Sequence, residues 1–221
     1  MGGFPRGQET AAPPRLDRGE IVRAALELLD RDGFDAFSMR KLAAELNVKS
    51  PSLYWHVRGK DELFELLIDT VIGKCPLPDA EGGPWQERLS RLGLDLRQVL
   101  LSHPAATRLL PGRLPFGPHG LRLADRVIGI LRRSGFDDRM AGYGYLILVF
   151  YVVGFAVQEI AFGKGADGGA RLAEVGGYLA GLPVEQYPDL VAVADGLLAP
   201  GLTDRFEFGL RNLIDGLAQS G

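Results

Sequence analysis

The chain has 221 residues, 46% hydrophobic and 24% charged, with a formal net charge of −3. This is an ordinary soluble composition that can bury a real core, and the net charge excludes a protein that is basic over its whole surface. The single cysteine, Cys75, excludes an internal disulfide framework and fits a reducing cytoplasm, while the first residues hold no long apolar run and are read as no secretory signal.

Residues 1–15, rich in Gly, Pro and polar groups, read as a disordered arm in which Arg6 and Arg15 add positive charge. A first helix then has a sharp start. Asp17 is a good N-cap, Glu20 completes a capping box, and Leu16 and Ile21 form a hydrophobic staple. Ile21, Ala25, Leu28 and Leu29 recur at helical spacing, and Gly33 ends the run. Ser38 caps a second helix with Leu42, Ala43 and Leu46 inward. Asn47-Val48-Lys49 makes a turn, and Ser50-Pro51 reads as the cap and first position of a third helix anchored by Leu53 and Val57. After Gly59 a fourth helix is expected over 60–74, with Asp61 and Glu62 at its positive end.

Residues 75–84 contain three prolines and two glycines and read as the boundary between a domain at 16–75 and another at 76–221. Beyond it, helices are expected over 85–103, 104–110, 116–133, 137–162 and 203–219, with a flexible break at 163–169. Residues 170–201 give only weak helix signals. The stretch 141–157 carries no charge, yet it is shorter than the roughly 20 residues a membrane span needs and then meets Gln158 and Glu159. We read it as a core or interface helix, apolar all round because protein covers it. No segment alternates at period two, so the fold class is all-α.

The second and third helices form a helix-turn-helix, a unit whose second helix fits the major groove of double-stranded DNA. Between Ser38 and Lys60 the charges are Arg40, Lys41, Lys49, Arg58 and Lys60 against Glu45 alone. With Leu53 and Val57 inward, Lys49, Ser50, Ser52, Trp55 and His56 are left on the open face. Lys49 and Arg40 suit guanine or phosphate, Ser50 and Ser52 suit either, and Pro51 offers an apolar edge to a thymine methyl. Tyr54 and His56 suit phosphate oxygens, and Lys60 adds charge to a helix N-terminus. Taken singly, each has a plainer reading as surface or core. Their convergence on one face favours DNA.

Residues 16–63 resemble the DNA-binding domain of the tetracycline-repressor family, with Pro51-Ser-Leu-Tyr-Trp-His-Val57 as the most specific stretch. A weaker likeness continues through Trp85-Gln86, Leu100-Leu-Ser-His103, Gly154 and Phe208-Gly-Leu210. The resemblance implies a homodimer whose N-terminal three-helix domain reads a palindromic operator and whose helical C-terminal domain dimerises and holds a small-molecule effector. By position Arg40, Lys49, Ser50, Pro51, Ser52, Tyr54, Trp55, His56 and Lys60 match the family's DNA contacts. Tetracycline repressors carry an acidic residue and a glutamine where Lys49 and Ser50 stand, which implies a different operator. Leu110 and Gln158 replace the histidine and glutamate that hold a magnesium–drug chelate, and Leu92 replaces a drug-binding asparagine. A hard cation wants oxygen ligands, so no metal or cofactor is expected, and the effector is expected to be largely apolar.

Leu92 and Leu96 share one helix face, and Gly142, Tyr145 and Val149 share another. With Leu110, Phe116, Leu123 and Gln158 they are expected to line a mostly apolar cavity, Tyr145 and Gln158 orienting the ligand. Phe206, Leu210, Leu213, Ile214 and Leu217 give the last helix a stripe suited to a dimer interface with helix 137–162. Ligand would shift helix 60–74 and move the recognition helices out of register. The competing readings are a regulator or activator without a small ligand, and an enzyme with an incidental helix-turn-helix. The second is disfavoured because no nucleophile–base–orienter set and no metal-ligand spacing is legible.

Overall fold

The computed structural model describes residues 16–163, 165–197 and 201–220. Among them lie eleven helices and no strand. The expected basic arm, with Arg6 and Arg15, lies outside the described residues.

Helix α1 (Arg18–Asp32) begins as its sequence dictates. The Glu20 amide donates to Asp17 Oδ1 at 2.8 Å, and the Asp17 amide donates to Glu20 Oε2 at 3.4 Å. Helix α2 (Met39–Glu45) is capped by Ser38, whose hydroxyl accepts from the Lys41 amide at 3.2 Å. The turn to α3 (Ser50–Tyr54) uses Asn47 at φ 53°, a left-handed state that asparagine tolerates better than most side chains. The cap of α3 differs from expectation by one residue. Lys49 is the N-cap and Ser50 the first helical residue, with no side-chain cap bond, because Lys49 holds the extended ψ of 141° that precedes the helix. Helix α4 (Lys60–Ile72) stops two residues before the predicted Lys74, at Gly73.

These four helices share a core of Ile21, Ala25, Leu28, Leu29, Leu42, Leu53, Val57, Leu63 and Leu67, each at most 1% exposed. Burying one such side chain contributes about 1.5–3 kcal/mol. Arg31 fastens α1 to α2 through two bonds to the Glu45 carboxylate, at 3.1 and 3.0 Å.

The remaining helices are α5 (Trp85–Ser102), α6 (Pro104–Thr107), α7 (Pro118–Arg133), α8 (Asp138–Phe162), α9 (Gly165–Ala180), α10 (Pro188–Leu197) and α11 (Leu202–Ala218). Helix α8 is the centre, packing against α5, α7 and α11. Its buried ridge is Ala141, Gly144, Leu148, Val152, Ala156 and Ile160, the spacing of one helix face. A methyl group on Gly144 would lie 2.8 Å from Leu131 Cδ1, so glycine there lets α7 come close. By length and composition α8 could cross a membrane, but this ridge packs on protein. Only 22% of its most apolar stretch is buried within one chain, so Tyr143, Leu146, Ile147 and Phe150 remain exposed.

A buried ion pair joins three helices. Arg97 of α5 donates to both Glu159 oxygens of α8, at 2.9 and 2.8 Å, and to Thr203 Oγ1 of α11 at 3.3 Å. Its guanidinium also lies 4.9 Å from the Phe206 ring centre.

Several expectations are corrected. The break foreseen at 163–169 shrinks to its start, because α9 begins at Gly165 and is carried by the strong helix formers Ala170-Arg-Leu-Ala-Glu174. Helix α7 begins at Pro118, two residues later than predicted, with Gly117 as its extended N-cap. His119 is in the first turn of α7, and its ring fills the space above Gly73. On α11, Phe206, Leu210, Ile214 and Leu217 are buried within the chain against its own neighbours. Phe208, 68% exposed, is the large apolar side chain that this helix leaves in solvent.

Candidate functional site

The outer face of the helix-turn-helix is built from the buried side of α3. Leu53 and Val57, at 0% and 1% exposure, fix the helix to the core and turn the intervening side chains outward. Trp55 is 89% exposed and Tyr54 is 52% exposed. So much aromatic surface contributes nothing to a core, which removes the plainer reading of both as packing residues. Lys49, Pro51 and Arg40 are exposed, while Ser50, Ser52 and His56 are half-buried at the edge of the same face.

The loop after α3 is pinned rather than loose. Arg18 Nε donates to the His56 carbonyl at 2.9 Å, and its NH2 group meets Glu62 at 3.2 Å. Glu62 also accepts from the Arg58 amide. Lys60 lies at the first turn of α4 with its ammonium 5.1–5.6 Å from the ring centres of Phe34, Phe37 and Phe64. Each such contact at an exposed position contributes about 0.5–1 kcal/mol, and together they hold the charge at one place. Glu45, the single acid of the stretch, is engaged by Arg31, whose hydrogen bond holds the carboxyl below its usual range. The face as built is positive and hydrogen-bonding, with an aromatic tip.

Behind this unit lies a cavity of about 510 Å³, within the range of small-molecule sites. Of the residues expected to line it, Leu96, Leu110, Leu123, Tyr145, Val149 and Gln158 are in its wall. Three are not. Leu92 is buried on α5 beside a separate cleft under the 76–79 segment, because the cavity face of that helix runs through Leu96 and Leu100. Phe116 falls in the lead-in to α7 and is 70% exposed. Gly142 lies a turn before Tyr145, past the end of the cavity, with open space where a side chain would be.

The wall also holds residues that the sequence reading missed. Leu100 and Val153 follow the foreseen Leu96 and Val149 at a spacing of four, Val157 follows Val153 at the same spacing, and all three were findable by helical periodicity. Ile72 of α4 and the loop Pro111–Pro115, including Arg113, gave no periodic signal. Leu146 and Phe150 of α8, both exposed, form the open rim. Burial raises the Tyr145 hydroxyl above its ordinary range, so it stays a neutral donor.

The cavity and the helix-turn-helix unit share α4. Ile72 is in the cavity wall, and Asp69, 6% exposed, accepts from the His119 and Gly120 amides, both at 2.9 Å, at the start of α7. A carboxylate there also meets the positive end of the helix. Arg113, from the cavity loop, reaches Asp61 Oδ1 at 3.2 Å and packs 5.9 Å from the Phe64 ring centre. Among the described residues no group of three His, Cys, Asp or Glu is placed to hold a metal. Burial pushes the Cys75 thiol up to about 12, so it remains an unreactive thiol.

Residues 21–67 match the family described as bacterial regulatory proteins, tetR family, and residues 77–220 match the tetracyclin repressor-like C-terminal domain. An HTH-type transcriptional regulator of Saccharopolyspora erythraea is 34% identical over 213 residues, 96% of this chain and 88% of that protein. The class A tetracycline repressor of transposon 1721 from Escherichia coli is 31% identical, with 93% of this chain and 92% of that one covered. Among solved structures, the Streptomyces coelicolor TetR-family protein ActR in complex with actinorhodin superposes with a TM-score of 0.87 at 35% identity, covering 94% of this chain and 98% of that chain.

Proposed function

The chain belongs to the tetracycline-repressor family of bacterial transcription regulators, and on that premise we propose that it is a ligand-responsive repressor. Two copies bind a palindromic operator, each laying α3 in a major groove. Residues 16–75 read DNA through Arg40, Lys49, Ser50, Pro51, Ser52, Tyr54, Trp55, His56 and Lys60. Residues 76–221 dimerise through the exposed face of α8 and through α11, and hold a small, largely apolar effector. The protein works in the cytoplasm and needs no membrane.

The observation that carries this reading is the shared helix. The α4 that starts beside the recognition helix contributes Ile72 to the cavity and is gripped by α7 through Asp69. A ligand that pushes the wall therefore pushes α4. The capture of ActR with a small molecule supports a ligand in the corresponding domain here. Coupling of about 1–3 kcal/mol would lower operator affinity roughly 5- to 150-fold.

The test is selection of bound duplexes from a random pool with the full-length protein. The expected product is an inverted repeat whose half-sites lie about 34 Å apart, one turn of DNA. Lys49→Ala should change the preferred half-site. Unchanged preference with a salt slope reduced by about 1 would make Lys49 a phosphate contact. No enrichment above non-specific binding would contradict the DNA-reading assignment.

A further inference from the structure

The cavity wall is apolar apart from three groups: Tyr145, Gln158 and Arg113. Among the described residues Arg113 is the one charged side chain in it. Its side chain is 36% exposed, so water solvates part of the charge and an ion pair holds the rest. Here its partner is weak, since Asp61 has a side chain 90% exposed and the pair is a single contact at 3.2 Å. The guanidinium donates further to the Leu109 carbonyl at 3.2 Å, which places it at the foot of its own loop and leaves part of its five-donor fork uncommitted. A water-exposed carboxylate is a poor competitor. To meet an acid in the sheltered cavity the fork turns away from Asp61 and Phe64 towards the chamber, where screening is lower and a carboxylate can accept from it twice.

We propose that Arg113 is the anion-binding group of the cavity, and that the effector is a largely apolar compound carrying one acid group. This rests on the reading of the cavity as the effector site. The acid takes Arg113 away from Asp61. Because Asp61 is in the first turn of α4, and Arg113 also covers Phe64 of that helix, the exchange releases the cavity loop from the start of α4. Arg113 thereby sets ligand class and carries the signal through one side chain. A neutral ligand of the same shape would fill the apolar walls but leave this contact closed.

Two fluorescent probes separate the acid from the apolar body. Anilinonaphthalene sulfonate carries an anionic group, and phenylnaphthylamine is the same aromatic amine without it. Both are titrated into full-length protein, wild type and variants, each checked for its thermal transition. The sulfonate affinity of Arg113→Gln should fall about tenfold relative to phenylnaphthylamine, and Arg113→Lys should recover part of it. Asp61→Asn should bind the sulfonate roughly two- to fivefold more tightly, since the competitor is gone. Val149→Trp, which fills the cavity, should expel both probes.

An Arg113→Gln variant with an unchanged ratio of the two affinities, while Val149→Trp still expels both, would overturn the anion assignment and leave the cavity reading intact. Asp61→Asn without tighter sulfonate binding would overturn the exchange. Both probes binding Val149→Trp as well as wild type would remove the cavity reading, and this inference with it.

Discussion

The two halves of the molecule turn opposite things outward. Helices α1–α4 bury their apolar residues among themselves and expose Lys49, Pro51 and Trp55. Helix α8 buries one ridge and exposes Tyr143, Ile147 and Phe150 on another. What each half leaves in water identifies what it is built to meet. Charged and hydrogen-bonding groups around an exposed indole suit the edges and phosphates of a DNA groove. A row of apolar side chains suits a second apolar surface, and each, about half exposed, forgoes part of the roughly 1.5–3 kcal/mol that full burial contributes. On the proposed reading the DNA unit is complete in one chain, whereas the other half is completed by a copy of itself.

That contrast can be broken most violently inside the sensing half. Glu159→Ala should destabilise the protein by about 3–5 kcal/mol, because it strands the buried Arg97 charge among α5, α8 and α11. Urea denaturation measures the loss. A double replacement of Arg97 and Glu159 by apolar residues should restore much of it. Phe150→Glu probes the exposed face. It should weaken self-association at least about a hundredfold, close to 2.7 kcal/mol, without lowering the thermal stability of the isolated chain. Analytical ultracentrifugation over a concentration series reads this, and an unshifted dimer would place the interface elsewhere.

The DNA half gives smaller and cleaner effects. Trp55→Ala should change fold stability by less than about 0.5 kcal/mol, because the ring is exposed, while weakening the selected operator about tenfold. A large stability loss would mean that Trp55 serves the core. The smallest effect is on pH. Arg31 depresses the Glu45 carboxyl, so that pair stabilises the fold above the ordinary carboxyl value of about 4.5. The contribution is lost as the pH falls through the lower value held in the fold. Glu45→Gln should therefore be slightly less stable than wild type near neutrality, with the two converging on acidification. Thermal melts across pH would show it.

The same contrast explains what was legible in the sequence. In the DNA half, structure follows from residues close in the chain. Asp17 and Glu20 start a helix, Ser38 caps the next, and Leu53 with Val57 decides which way Trp55 faces. In the sensing half, the deciding relations are long-range. Arg97 and Glu159 are 62 residues apart, and Asp69 meets the α7 amides 50 and 51 residues away. No local pattern encodes either. Periodicity recovered Leu96, Tyr145 and Val149 in the cavity wall but misplaced two residues: Leu92 shares the buried face of α5 yet lies a turn before the cavity, and Gly142 is on α8, where a helix apolar all round does not show which turn faces the cavity. Phe116 was misplaced for a different reason. Its position depends on where α7 begins, which Asp69 of a distant helix helps to fix.

The central claim is that occupancy of the cavity controls affinity for DNA. Operator affinity of the full-length protein, measured by fluorescence anisotropy with and without a saturating compound recovered by operator release, tests it in wild type and in Val149→Trp. The account predicts a 5- to 150-fold loss, as expected for about 1–3 kcal/mol of coupling, in wild type and none in the filled variant. Equal loss in both would place the compound's action outside the cavity and contradict the account.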